Sequence, residues 1–170
     1  MPTIKREEYA APWSKIFHTK NILESSYYSH VFFLDADAVV LNRHKKIEDV
    51  IAKMKTSIAF SANGLNGGDH INSGSFIATK ESLPILNECI RLSQNDMMDK
   101  KRDYWHEQSI ITYLYESGVP MDVFDMNEIN SFWLYDIDRN DGQFIYHFMA
   151  RPLHEKIEIA KILKERSEGI

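Results

Sequence analysis

Val31-Phe32-Phe33-Leu34-Asp35-Ala36-Asp37-Ala38-Val39 is the stretch on which the fold turns. Four consecutive apolar residues with no polar alternation mark a strand covered on both faces, and the run stops at two aspartates one residue apart. Such a strand delivers both carboxylates to its carboxyl end. In extended backbone, residues i and i+2 point to the same side, so Asp35 and Asp37 share a direction. Removing two carboxylates from water is costly unless a positive charge neutralises them. A divalent cation does so most simply, and hard oxygen donors suit Mg²⁺ or Mn²⁺, which keep positions open for phosphate oxygens. An isolated Asp-x-Asp more often caps a turn, but the hydrophobic strand in front of this one favours a site.

Outward from that stretch, strands and helices alternate. Before it, Trp13, Ile16, Phe17 and Leu23 among polar residues predict a helix over 11–26, with Pro12 where a missing N–H is harmless. After it come a short helix over 46–54, a strand over 57–61 stopped by Asn63-Gly64, and a Gly-rich surface loop over 64–69. Ile71 to Thr79 reads as a strand with Gly74 inside it, where a side chain would obstruct something. Helices follow from Leu83 and over 105–117, then an irregular segment carrying Asp122, Asp125 and Glu128. Phe144 to Phe148 is a late strand. Pro152 opens a final helix with Leu153, Ile157, Ala160 and Leu163 on one side. This order predicts an α/β fold with a mainly parallel central sheet flanked by helices. In open sheets of that kind ligands bind beyond the carboxyl ends of the strands, where the aspartate pair would stand.

Composition narrows the function classes. The 170 residues, 44% hydrophobic and 26% charged, fit one globular domain spanning 1–170, with no repeat or linker to divide it. Twenty basic against 25 acidic residues, a formal charge of −5, argue against a nucleic-acid partner. No apolar run approaches the about 18 residues of a membrane helix, and Met1 to Glu8 is too acidic and polar for a signal peptide, so a soluble, cytoplasmic chain is expected. Cys89 is the single cysteine, so no intramolecular disulfide forms.

Two chemistries share the decisive stretch. It fits the first motif of haloacid-dehalogenase-type phosphatases, with Asp35 as nucleophile and Asp37 as acid/base, and it fits the metal-binding Asp-x-Asp of nucleotide-sugar glycosyltransferases. The phosphatase motif usually sits on the first strand, and that family needs a later acidic pair, for which only the scattered Asp122, Asp125 and Glu128 are available. Read in order, Trp13-Ser14-Lys15-Ile16, Phe33 to Asn42, Asn72-Ser73-Gly74-Ser75-Phe76, Glu107-Gln108 and His147-Phe148 resemble the GT-A-fold glycosyltransferases, most of all the galactosyl-, mannosyl- and xylosyltransferases of glycosyltransferase family 34. The likeness spans residues 13 to 152. In that family a strand, a helix and a second strand precede the Trp-x-Lys helix. Here a dozen residues stand before Trp13, so a GT-A-like sheet without the first nucleotide-binding strands is expected. Ala150 stands where relatives usually carry glycine.

The resemblance implies a donor site. Asp37 becomes the principal metal ligand, Asp35 contacts metal and ribose, and His147 completes the metal shell, a neutral imidazole being a suitable Mn²⁺ ligand where anions are already in excess. Lys15 reaches the donor's phosphates or sugar. Asn72 and Gly74 line the sugar side, and Glu107 and Gln108 face sugar and acceptor. Arg151, beside the Pro152 helix start, is a candidate diphosphate contact. Trp105, Trp133 and Tyr135 are candidates for stacking on sugar rings. The implied reaction moves a sugar from a UDP- or GDP-sugar to a hydroxyl of a glycan or other acceptor, with Mn²⁺ or Mg²⁺ as cofactor. Beside it stand the phosphatase and a non-catalytic sugar-nucleotide-binding module.

Overall fold

The computed structural model describes residues 11–42, 44–63, 71–94, 106–131, 144–148 and 151–168. In chain order the elements are α1 (Ala11–Glu24), β1 (His30–Leu34), β2 (Ala38–Val40), α2 (Ile47–Ile51), β3 (Ile58–Ala62), β4 (Ile71–Thr79), α3 (Leu83–Ser93), α4 (His106–Glu116), β5 (Asp122–Phe124), α5 (Met126–Ile129), β6 (Ile145–His147) and α6 (Leu153–Glu168). A four-stranded sheet has the order β1-β4-β3-β5, and β2 pairs with β6 in a second, two-stranded sheet.

The expected α/β architecture is present, with a mixed sheet. β5 runs parallel to β3, whereas β4 runs against both β1 and β3, so three of the four strands share a direction and β4 opposes them. Side chains alternate across the sheet as a period of two requires. Val31, Phe33, Phe76 and Ala78 pack with Trp13, Ile16, Leu86 and Ile111 of the helices on one face. Phe32, Leu34 and Ile77 pack with Val50, Ile129 and Ile145 on the other. β1 thus meets apolar neighbours on both faces, but it closes the sheet's edge among the described residues, and Val31 to Leu34 are half-buried rather than fully covered.

Three expectations are corrected. The segment carrying Asp122 is not irregular: Asp122–Phe124 is a strand paired with β3, too short to show a pattern in the sequence. Asp35 and Asp37 do not continue an extended strand, because the Ala38 N–H donates to the Asp35 carbonyl at 3.0 Å and closes a turn between β1 and β2. In α6, Leu153 and Ile157 are 72% and 48% exposed, while Ile159 is 4% exposed and packs with Tyr146 and Phe148; of the expected face Leu163 packs there too, so the inward face is rotated to run through Ile159 and Leu163.

The registers place the site. β3 pairs Phe60 with Phe76 but Ser61 with Asn72, so Ser73, Gly74 and Ser75 bulge out of that ladder. Such irregularities re-aim backbone and side chains beside functional sites. On its other side this stretch stays bound to β1, with Leu34 opposite Ser75 and the Asp35 N–H donating to the Gly74 carbonyl at 2.8 Å. The Phe148 N–H donates to the Asp37 carbonyl at 2.9 Å, tying the end of β6 to the aspartate turn.

Candidate functional site

Residues 110 positions apart in the chain meet at this turn. His147 Nε2 lies 3.0 Å from Asp37 Oδ1 and 3.8 Å from Asp35 Oδ2. One ligand atom from each of Asp35, Asp37 and His147 fits within 4.8 Å of the others, the three-residue group of metal-ligating type found among the described residues. The ring is buried and sits directly against Gly74: a β-carbon there would lie 2.3 Å from His147 Cε1 and 2.6 Å from Nδ1. The obstruction that glycine avoids in β4 is therefore the imidazole.

Asn130, absent from the sequence reading, holds the ring's other side. Its Oδ1 is 3.0 Å from His147 Nδ1, and it is buried at the end of α5, next to Ile129, whose carbonyl accepts from the Ser75 hydroxyl. Burial pushes the His147 imidazole below its ordinary value, against the pull of Asp37 and Asp35, so the ring is neutral near pH 7. With Asn130 Oδ1 assigned as the atom facing Nδ1, that nitrogen carries the proton and Nε2 turns its lone pair toward the carboxylates. Two carboxylates and an imidazole lone pair converging on one point make a donor set that a cation can occupy. This donor set fits a divalent ion of the Mg²⁺ or Mn²⁺ kind.

Each aspartate also has a resident ammonium. Lys15 Nζ lies 3.0 Å from Asp35 Oδ1 and 3.0 Å from Glu107 Oε1, and donates to the Ser73 carbonyl at 3.2 Å. It is 6% exposed. Lys156 of α6, also unforeseen, reaches Asp37 Oδ2 at 2.6 Å. Burial pushes the Asp37 carboxyl up, but the Lys156 hydrogen bond and the neighbouring charges more than offset it and hold the group below its ordinary value.

Ser73 organises the remaining groups. Its hydroxyl donates to Glu107 Oε1 at 2.8 Å and its N–H to Gln108 Oε1 at 3.0 Å. Asn72 Oδ1 accepts from the Gly74 N–H at 2.8 Å. Asp35, Asp37, His147, Lys15, Glu107, Gln108, Asn72 and Gly74 thus form one connected network. Arg151 is turned to Glu155 at 3.2 Å rather than to the aspartate pair. Two of the acidic residues on which the phosphatase reading drew are engaged elsewhere. Asp122 accepts from the Lys55 and Thr56 N–H groups at 2.7 and 2.8 Å, and Glu128 pairs with Lys45 and Lys53. Trp105, Trp133, Tyr135, Ala150 and the 64–69 loop lie outside the described residues.

The sequence matches no protein-family model and no curated protein. The fold does have solved counterparts. A glycosyltransferase involved in the glycosylation of the major capsid of PBCV-1 superposes with a TM-score of 0.72 at 16% identity, over 95% of this chain and 80% of that one. The glycosyltransferase GlyE of Streptococcus pneumoniae TIGR4 gives 0.62 at 15% identity over 88% of this chain, and its apo form 0.60 at 15% over 80%. This chain spans 39% of GlyE's length. The class defined is the glycosyltransferase fold. Among the described residues no helix is long and apolar enough to cross a membrane.

Proposed function

We propose that this chain transfers a sugar from a nucleoside-diphosphate sugar, a UDP- or GDP-sugar, to a hydroxyl of a glycan or related acceptor, with motif order closest to glycosyltransferase family 34. The observation that carries this reading is the 3.0 Å approach of His147 to Asp37 across 110 residues, at the end of β1 in a glycosyltransferase fold. Asp35, Asp37 and His147 would hold Mn²⁺ or Mg²⁺. When bound, such an ion neutralises charge that grows on a departing diphosphate.

The chain's own residues do the rest. Lys15, bridging Asp35 and Glu107, holds both carboxylates in place and is the ammonium that would meet the donor's phosphates or sugar. Glu107 and Gln108, both bound to Ser73, stand where an acceptor hydroxyl and the sugar's reacting face would be oriented, with Glu107 taking the hydroxyl proton if one is removed. Asn72 fixes the Gly74 peptide, and Gly74 serves the donor side by making room for His147. Arg151 contacts the diphosphate once it parts from Glu155. Catalysis is then mainly electrostatic, through groups already oriented before the sugar arrives.

The test is a thermal-shift panel of UDP- and GDP-sugars with and without Mn²⁺. A ligand present at a hundred times its Kd stabilises by about 2.7 kcal/mol, a rise of about 5–10 °C for a domain of this size. One nucleotide-sugar should give that rise only with Mn²⁺, and Asp37→Ala should abolish it. A flat response across the panel would favour a non-catalytic module.

A further inference from the structure

The two aspartates are neutralised in different ways. Asp35's partner, Lys15, is buried and bound at once to Asp35, Glu107 and the Ser73 carbonyl, so its departure would break three contacts together. Asp37's partner, Lys156, is 27% exposed, and among the described residues its ammonium donates to Asp37. It sits near the start of α6, on the inward face that also carries Ile159 and Leu163, so the packing of the helix aims its side chain at the aspartate turn. An ammonium is a compact charge on a flexible stem and is readily rehydrated. It therefore leaves this contact cheaply once something else neutralises the carboxylate.

We propose that Lys156 is a displaceable counter-ion of Asp37: without a divalent cation its ammonium neutralises the carboxylate, and a cation binds by driving it off. The inference rests on the metal reading of the site given above. Its consequence is counterintuitive, since Lys156 touches a candidate ligand and yet opposes the cation. Removing it relieves competition for Asp37 Oδ2 and a like-charge repulsion. For a partly exposed pair of this kind the gain is about three- to tenfold in cation affinity.

The experiment titrates the full chain with Mn²⁺ alone, following the free ion by electron paramagnetic resonance. Lys156→Met and Lys156→Gln should each bind Mn²⁺ about three- to tenfold more tightly than the unaltered chain. Lys161→Met, which removes a charge from an exposed position on the same helix, should stay within about twofold. Without cation, Lys156→Met should melt below the unaltered chain, and saturating Mn²⁺ should close the gap. Unchanged or weaker binding in both Lys156 variants, or an equal gain in Lys161→Met, would overturn the inference. Asp37→Ala separates the two failures. If it loses Mn²⁺ while the Lys156 variants do not tighten, the metal reading stands and the counter-ion falls. If it binds like the unaltered chain, or if no form binds, both fall together.

Discussion

His147 is the residue at which sequence and structure meet most closely. The order of motifs singles it out among seven histidines, and a glycine inside a strand, as at Gly74, is a place where a side chain would obstruct something. That the obstructed object is the His147 ring was not legible, because the contact joins β4 to β6 through a bulge no local pattern announces. Asn130 and Lys156 were missed for a similar reason: a polar residue gains its meaning from what it faces, and both face partners far away in the chain. The Gly74 contact yields a sharp prediction. Since the ring is held between Asn130 and Asp37, Gly74→Ala must displace it or bend β4. Overpacking of this kind costs about 1–3 kcal/mol, to be read from urea unfolding. Misplacing one ligand of a metal set should lower Mn²⁺ affinity by at least about tenfold in the same variant.

Elements with a full period were legible and short ones were not. The helices over Ala11–Glu24 and His106–Glu116 and the strand Ile71–Thr79 fall close to their expected places because each has two or more turns, or several alternations, to show its pattern. β2 and β5, three residues each, have no pattern to show. α6 misled differently. Apolar residues at 153, 157, 159, 160, 162 and 163 offer two faces, and the choice falls to Ile159, which fills the space beside Tyr146 and Phe148. Ile159→Ala should cost about 2–5 kcal/mol in urea unfolding, whereas Leu153→Ala should fall within about 0.5 kcal/mol of zero. The same phase aims Lys156 inward, so the two observations stand or fall together.

For the whole molecule, the aspartate turn is the point where α1, the β1–β4 pair, α4, α5, β6 and α6 all contribute a group. The fold class followed from the alternation of strands and helices, and the mixed direction of the sheet did not, since an apolar run says nothing about which way its neighbour runs. Ion pairs between distant segments set the behaviour in acid. Hydrogen bonds from Lys45 and then Lys53, outweighing burial, hold Glu128 below its ordinary value of 4.5. A carboxyl lowered in this way contributes its full stability above 4.5 and loses it as pH falls through the depressed value. The difference in melting temperature between the unaltered chain and Glu128→Gln should therefore be constant from pH 7 to about 5 and shrink below that. The central claim, that two aspartates and a distant imidazole share one cation, is tested most directly by anomalous diffraction from crystals grown with Mn²⁺ and a nucleoside diphosphate. The account predicts an anomalous peak within about 2.0–2.6 Å of oxygens of Asp35 and Asp37 and of His147 Nε2. A peak elsewhere, or none at the aspartate turn, would contradict it.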